Sequence, residues 1–449
     1  MRLFLNTPLR INYSPTLSKA YKYQRWFRTQ HVSSSSLTTF TNWSAIIANN
    51  DYVFSFITNQ LVILPQNNFY MGKVLYFAFC LIITWSNYKP IERQIETGHY
   101  GSYPIGFKTE LHHDSIRSYQ PDRGIPYRPL SMHVWYPAQK AASDKPMSYR
   151  TYIELETQRE GSLLADSNQL SAFCINVVGG YRQYATTFMK NLSISVGDIL
   201  QAPTKAIYNA APINGRFPVI IYAPSFSKPA NQNHIACEYL ASHGYVVISV
   251  ASAGQQGQTM TKDTAGIMAQ VRDLEYIMAQ ASRLPSVDTS RIGTFGFSWG
   301  GMANVIYQMR NPTVKALACW DGSTEYQDYD FIKTVRDFKP AKLVVPYLYL
   351  SNQNEDWSSF PFFHSLATTN KHLYRLKKLE HAEFTSYWPF YASIKPTTSY
   401  QTDSYWALCH YTLAFFDAYL NDSKKAKKVL GRSSKENGFS SKTIAQVSI

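Results

Sequence analysis

Three side chains in this sequence could together form and break a bond to a carbonyl carbon. Ser298 lies in Gly296-Phe297-Ser298-Trp299-Gly300, Asp321 in Cys319-Trp320-Asp321-Gly322, and His381 in Leu379-Glu380-His381-Ala382-Glu383-Phe384. A neutral imidazole within hydrogen-bond reach of a serine hydroxyl takes its proton as the oxygen attacks, then returns it to the leaving group. A buried carboxylate fixes the imidazole tautomer and stabilises the imidazolium. The chemistry would be acyl transfer to the serine and then to water.

Such groups are far apart in sequence, so the fold must deliver them to one place. Around Ser298 the apolar run Arg291–Phe297 reads as a strand and Met302–Met309 as a helix, with glycines two before and two after the serine. Glycine has no Cβ to clash in a sharp strand-to-helix turn, so Ser298 is left projecting from it. Phe217–Ala223, Tyr245–Ala251, Val314–Trp320, Leu343–Leu350 and Leu373–Leu379 are further strand-like runs. Helix-like stretches at Gln232–His243 and Met268–Leu284 alternate with them. Alternation of this kind predicts an α/β fold, a mostly parallel sheet with helices on both faces, whose catalytic groups sit on loops at the carboxyl ends of the strands. Ser298, Asp321 and His381 each follow a strand, and the order serine, acid, histidine is that of α/β hydrolases.

Asp356 and Glu355, after the strand ending at Leu350, compete with Asp321 for the acid's role; Asp321 is favoured. The oxyanion of a tetrahedral intermediate also needs donors. The backbone N–H of Trp299, at the start of a helix, is one. The other belongs on Pro224-Ser225-Phe226-Ser227-Lys228; Phe226 is the choice, with Ser225 the neighbour one residue away.

The chain has 449 residues and a net charge of +14. Residues 1–70 carry +5 of it and residues 424–442 carry +6, leaving +3 for the rest. Charge gathered at the ends describes solvated segments, and nucleic-acid binding is not expected. The five cysteines, Cys80, Cys174, Cys237, Cys319 and Cys409, show no CxxC pair and no zinc-like spacing with histidine. No metal, organic cofactor or disulfide framework is expected, and His112-His113-Asp114 cannot converge on one metal from an extended segment.

Residues 1–70 show no clear period and read as a leader without a folded role. Residues 71–90 resemble a secretory signal, with Lys73 as the positive flank and Val74–Trp85 as the apolar stretch, too short to span a bilayer. Met71 is the expected start and the expected localisation is secreted or periplasmic. Residues 99–423 form the hydrolase domain. Within it, Tyr103–Leu111 and Arg128–Pro137 pair at one sheet edge and residues 138–216 insert a helical cap. Asp288–Arg291 is a turn with a local ion pair, Arg272 and Asp273 are structural, and Ser404–Leu420 is a last amphipathic helix packing Trp406, Leu413 and Phe416. Residues 424–449 form a basic tail.

Leu240-Ala241-Ser242-His243-Gly244-Tyr245-Val246-Val247-Ile248, the Ser298 turn, the 23-residue step from Ser298 to Trp320-Asp321, and His381-Ala382-Glu383-Phe384-Thr385 resemble the platelet-activating factor acetylhydrolase family, close to dienelactone hydrolases. The resemblance covers roughly residues 217–390. It implies a calcium-independent serine esterase, with Ser298, Asp321 and His381 as the triad and Phe226 and Trp299 at the oxyanion positions. Pro224-Ser225-Phe226-Ser227 stands where that family often has His-Gly-x-Gly, and Phe297 where it often has histidine. Cutinase-type polyester hydrolases share the Ala-Ser-His-Gly and Trp-Asp features but take their acid from the later loop.

The expected function is hydrolysis of short-acyl esters or phospholipids, a small-molecule ester or lipid being the partner and contact with a membrane surface transient. The alternatives are a dienelactone or polyester hydrolase, or a non-catalytic binding protein on the same scaffold.

Overall fold

The computed structural model describes residues 46–49, 52–57, 60–65, 100–157, 193–257, 259–325, 328–353, 360–367, 370–396 and 400–447. Two compact units divide the chain, residues 1–87 and 88–449.

In the first unit, β1 (Ile46–Asn49), β2 (Tyr52–Ile57) and β3 (Gln60–Pro65) form an antiparallel meander. Residues 1–70 read from the sequence as a leader without a folded role; the described part of them, within residues 46–65, carries these strands. Runs rich in β-branched and aromatic residues, as in Tyr52–Ile57 and Gln60–Pro65, are the composition of strands. The signal-like segment lies outside the described residues.

The second unit is built on a ten-stranded sheet of order β13-β12-β11-β10-β9-β7-β8-β5-β4-β6. Its strands are β4 (Ile105–Gln120), β5 (Ile125–Pro137), β6 (Ala206–Tyr208), β7 (Phe217–Ala223), β8 (Val246–Ser249), β9 (Val287–Phe297), β10 (Val314–Trp320), β11 (Tyr347–Ser351), β12 (Lys371–Leu376) and β13 (Ile444–Gln446). From β8 through β12 every neighbouring pair is parallel. That is the arrangement of the α/β-hydrolase fold.

The register follows from residues that are apolar on both faces. Along β7, Ile220 and Tyr222 enter one core with Trp320, Leu348 and the helix Tyr400–Leu420. Val219, Ile221 and Ala223 enter the opposite core with the helices Thr264–Ala281 and Trp299–Arg310. Successive side chains of a strand point to opposite faces, so a strand covered on both must be a continuous apolar run. Each large side chain fully buried in this way contributes about 2 to 3 kcal/mol. Phe416 and Leu413 pack as expected, but Tyr405, Leu408, Tyr411 and Phe415 are buried too, so the helix Tyr400–Leu420 is enclosed well beyond one stripe.

The antiparallel pair β4–β5 forms as the sequence indicates, with β4 running on through His112-His113-Asp114. There His112 lies 3.3 Å from Glu110, and Asp114 accepts from Arg117 at 2.6 Å. Among the described residues no cluster of His, Cys, Asp or Glu could hold a metal ion. Asp273 is fully buried between the guanidinium groups of Arg117 and Arg128, at 2.7 and 2.6 Å, and Arg291 binds Asp288 at 2.7 Å.

Two boundaries move. The segment 138–216 supplies the helices Tyr149–Thr157 and Val196–Gln201, but its end returns as β6 beside β4 and so belongs to the sheet. Residues 158–192 lie outside the described residues. The basic stretch after residue 423 is part of the fold rather than a tail. The helix Lys424–Gly431 buries Ala426 and Leu430 while its lysines stay in water, and Ile444–Gln446 pairs antiparallel with β12. The density of lysine in the sequence hides the few apolar residues that dock it.

Candidate active site

The nucleophile turn is a strained one. Ser298 has φ 56° and ψ −122°, outside the comfortable regions for a side-chain-bearing residue, and it stands between β9 and the helix Trp299–Arg310. What lets the backbone close up there is the absence of two Cβ atoms. A Cβ on Gly296 would lie 2.4 Å from the Gly300 carbonyl oxygen, and one on Gly300 would lie 2.1 Å from that of Ala223. The helix start is thereby pressed against both its own strand and the end of β7.

Four adjacent strands then deliver four groups. Ser298 follows β9, and its N–H donates to Trp320 O at 3.0 Å. Asp321 follows β10, and its N–H donates to Leu350 O at 2.8 Å. Asn352 follows β11. His381 comes from the loop after β12, which Gln353 N–H holds through Leu379 O at 3.0 Å. The strand ladder therefore continues into the loops and sets the side chains beside one another.

His381 Nε2 lies 2.9 Å from Ser298 Oγ, and His381 Nδ1 lies 2.6 Å from Asp321 Oδ2. Asp321 is fully buried and also accepts from the Asn352 backbone N–H at 2.9 Å and its side-chain amide at 3.0 Å. Three hydrogen bonds fix this carboxylate in place. Asp321 is in contact with the histidine; its sequence rivals Asp356 and Glu355 lie outside the described residues.

Phe297 packs against the reacting imidazole at a ring distance of 5.0 Å and stacks on Phe384 at 6.2 Å. It excludes water from one face of His381. Glu383, two residues on, has its carboxyl pushed up to about 7 by burial. Burial also pulls the Lys228 ammonium down.

The loop after β7 settles which N–H is spare. Ser225 N–H is taken by Gln232 Oε1 at 2.8 Å and Ser227 N–H by Ser252 Oγ at 3.1 Å. Phe226 N–H, between them, has no acceptor among the described residues, and neither does Trp299 N–H in the first helical turn. The Phe226 and Trp299 rings meet edge to face at 5.3 Å, so the two backbone segments adjoin. The helix dipole adds positive potential at Trp299.

Asn233 is a residue that sequence reasoning passed over. Its side-chain amide donates to Tyr222 OH and to Phe384 O, both at 3.1 Å, and its carbonyl accepts from Tyr405 OH at 3.1 Å. It ties the histidine loop to the start of the helix His234–Ser242. Asn352, Gln232 and Ser252 were passed over as well. In sequence each is one more polar residue beside a strand or helix end, and no spacing rule marks it.

A family model described as PET hydrolase-like matches residues 203–387, the stretch that holds all of these groups. The fold is also that of a solved ferulic acid esterase from Streptomyces cinnamoneus, with a TM-score of 0.54 at 19% identity, over 77% of this chain and 97% of that one. A putative carboxymethylenebutenolidase of Methylorubrum extorquens is 30% identical over 127 residues, 26% of this chain and 44% of that protein. The chain has the α/β-hydrolase fold and is similar to proteins of the dienelactone hydrolase type. A second putative carboxymethylenebutenolidase, from Yersinia pestis, is 29% identical over 121 residues, 24% of this chain and again 44% of the relative. The chain spans less than half the length of the curated relatives it matches.

Proposed function

We propose that this protein cleaves carboxylic esters through an acyl-serine intermediate. The observation that carries the reading is the continuous chain Ser298 Oγ, His381, Asp321, with contacts of 2.9 and 2.6 Å. Ser298 Oγ adds to the ester carbonyl while its proton passes to His381 Nε2, and the carbonyl electron pair moves onto oxygen. Phe226 and Trp299 N–H groups hold that oxyanion. As the carbonyl re-forms, the C–O bond to the alcohol breaks and His381 gives its proton to the departing oxygen. Water, activated by the same imidazole, then releases the acid and restores Ser298. Asp321, bonded to His381 Nδ1, stabilises the imidazolium.

Short-acyl esters, including phospholipids with a short acyl chain, are the proposed substrates, as in the platelet-activating factor acetylhydrolase family. What supports this is the acid's place, one strand and 23 residues after the nucleophile. The protein is proposed to be secreted, on the strength of Lys73 and the apolar stretch Val74–Trp85. N-terminal sequencing of exported protein tests that part, and a mature chain retaining residues before Met71 overturns it.

Hydrolysis of p-nitrophenyl acetate and of longer p-nitrophenyl esters, by wild type and Ser298→Ala, tests the activity. Rates falling steeply with acyl length in wild type, and to background in Ser298→Ala, are expected. Equal rates for the two proteins would leave only a binding role. A second reading, a polyester substrate, is favoured by the match to the PET hydrolase-like model, and release of soluble acid from a polyester film distinguishes it.

A further inference from the structure

The peptide bearing the Phe226 N–H lies between two peptides that side chains grip. On the Ser225 side, Gln232 closes a ring: Oε1 accepts from Ser225 N–H and Nε2 donates to Ser225 Oγ, each at 2.8 Å. On the Ser227 side, Ser252 does the same from the loop after β8. Its Oγ accepts from Ser227 N–H at 3.1 Å, and its own N–H donates to Lys228 O at 2.9 Å. Ser227 in turn accepts from Met260 N–H through its Oγ at 2.8 Å. Gln232 and Ser252 are 1% and 4% exposed.

Ser227 has φ 52°, a left-handed conformation that a serine holds only when its surroundings impose it. With both neighbouring peptides clamped, the Phe226 N–H cannot swing without breaking one of these bonds. What these hydrogen bonds set is the aim of the donor between them. An N–H donor preorganised toward the developing charge does not have to be reoriented during the reaction.

We propose that Gln232 and Ser252 are positioning residues that fix the Phe226 N–H at the oxyanion site from its two sides. Neither touches the substrate or the reacting atoms. The inference rests on the esterase reading above.

The test uses Gln232→Met and Ser252→Ala, which remove the grips, and Ser252→Thr, which keeps the hydroxyl. Each is assayed with p-nitrophenyl acetate and titrated with an aryl trifluoromethyl ketone, whose carbonyl adds Ser298 Oγ to give a stable oxyanion. The first two variants should lose about 10- to 100-fold in kcat, with KM changed by no more than about twofold. Their affinity for the ketone should fall by the same factor as kcat, and Ser252→Thr should recover most of both. Unchanged kcat and ketone affinity in Ser252→Ala, or an equal loss in Ser252→Thr, would overturn the proposal. If Gln232→Met does not fold, the Ser252 pair decides. Ser298→Ala separates the two layers of the argument. Wild-type hydrolysis that persists in Ser298→Ala removes the esterase reading and this proposal together. Hydrolysis that depends on Ser298 but is indifferent to the Ser252 and Gln232 changes removes the positioning role alone.

Discussion

Asn352 holds Asp321 with two bonds, its backbone N–H on Oδ1 at 2.9 Å and its side-chain amide on Oδ2 at 3.0 Å. Oδ2 is also the atom that faces His381, so the amide and the imidazole share one carboxylate oxygen. Replacing Asn352 by leucine removes the side-chain donor from a fully buried charge. A hydrogen bond to an ionised group is worth about 1.5 to 3 kcal/mol. Asn352→Leu should lose about that much stability in urea unfolding and about tenfold or more in kcat. Wild-type values of both would show that Asn352 is a bystander.

Asp321→Asn keeps the shape of the site but offers His381 Nδ1 an amide that can present its N–H, favouring the tautomer in which Nε2 carries the proton and cannot accept one. The expected loss in kcat is about 10³- to 10⁴-fold with little change in KM. Substantial activity in Asp321→Asn would mean that another carboxylate serves His381.

Gly300→Ala tests the close approach of the helix start to the loop after β7. The added Cβ would lie 2.1 Å from Ala223 O and 2.5 Å from Pro224 O, both backbone atoms that cannot step aside. Overpacking of this kind costs about 1 to 3 kcal/mol. The retreat of the helix also widens the gap between the Trp299 and Phe226 N–H groups, so kcat should fall further than stability alone accounts for. Thermal melting and kinetics on the same sample check both effects.

Stability should respond to pH through buried groups outside the site. Burial pushes Glu238 up to about 7 from an ordinary 4.5, against opposing hydrogen bonds from Tyr152 and Lys205. Between those values the folded chain keeps a proton that the unfolded chain releases, so Glu238's contribution is complete below pH 4.5 and is lost as pH rises to 7. Three histidines act in the opposite sense. Burial holds His234 down to about 3 and His372 and His410 to about 4, from 6.5, so their contribution is present above 6.5 and lost as pH falls. Glu238→Gln should therefore gain in melting temperature relative to wild type on going from about pH 5 to about pH 8. A difference that stays constant with pH would show that Glu238 titrates alike in the two states.

The strand and helix periods of residues 217–320 were legible because both faces of the sheet are covered, which makes each strand a run of apolar residues bounded by polar loops. The basic stretch after residue 423 was misread because Ala426, Leu430 and Ile444 are few among lysines, and only a partner surface shows that they dock. The strands within residues 46–65 were passed over because runs of this length offer period 2 and little else.

By itself the sequence determined the alternating α/β layout, the turn at Ser298 and the order of serine, acid and histidine, since each depends on local residue types: glycine where no Cβ fits, apolar runs where both faces are buried. Tertiary structure alone brought Asp321 and His381 together across 60 residues of chain. It also showed that Ser225 N–H is occupied while Phe226 N–H has no acceptor among the described residues, and enlisted Asn352, Asn233, Gln232 and Ser252. Those outcomes depend on which strand ends adjoin in the sheet and which buried donor finds which acceptor. Contacts between distant segments of this kind leave no period or spacing in the sequence from which they could be read.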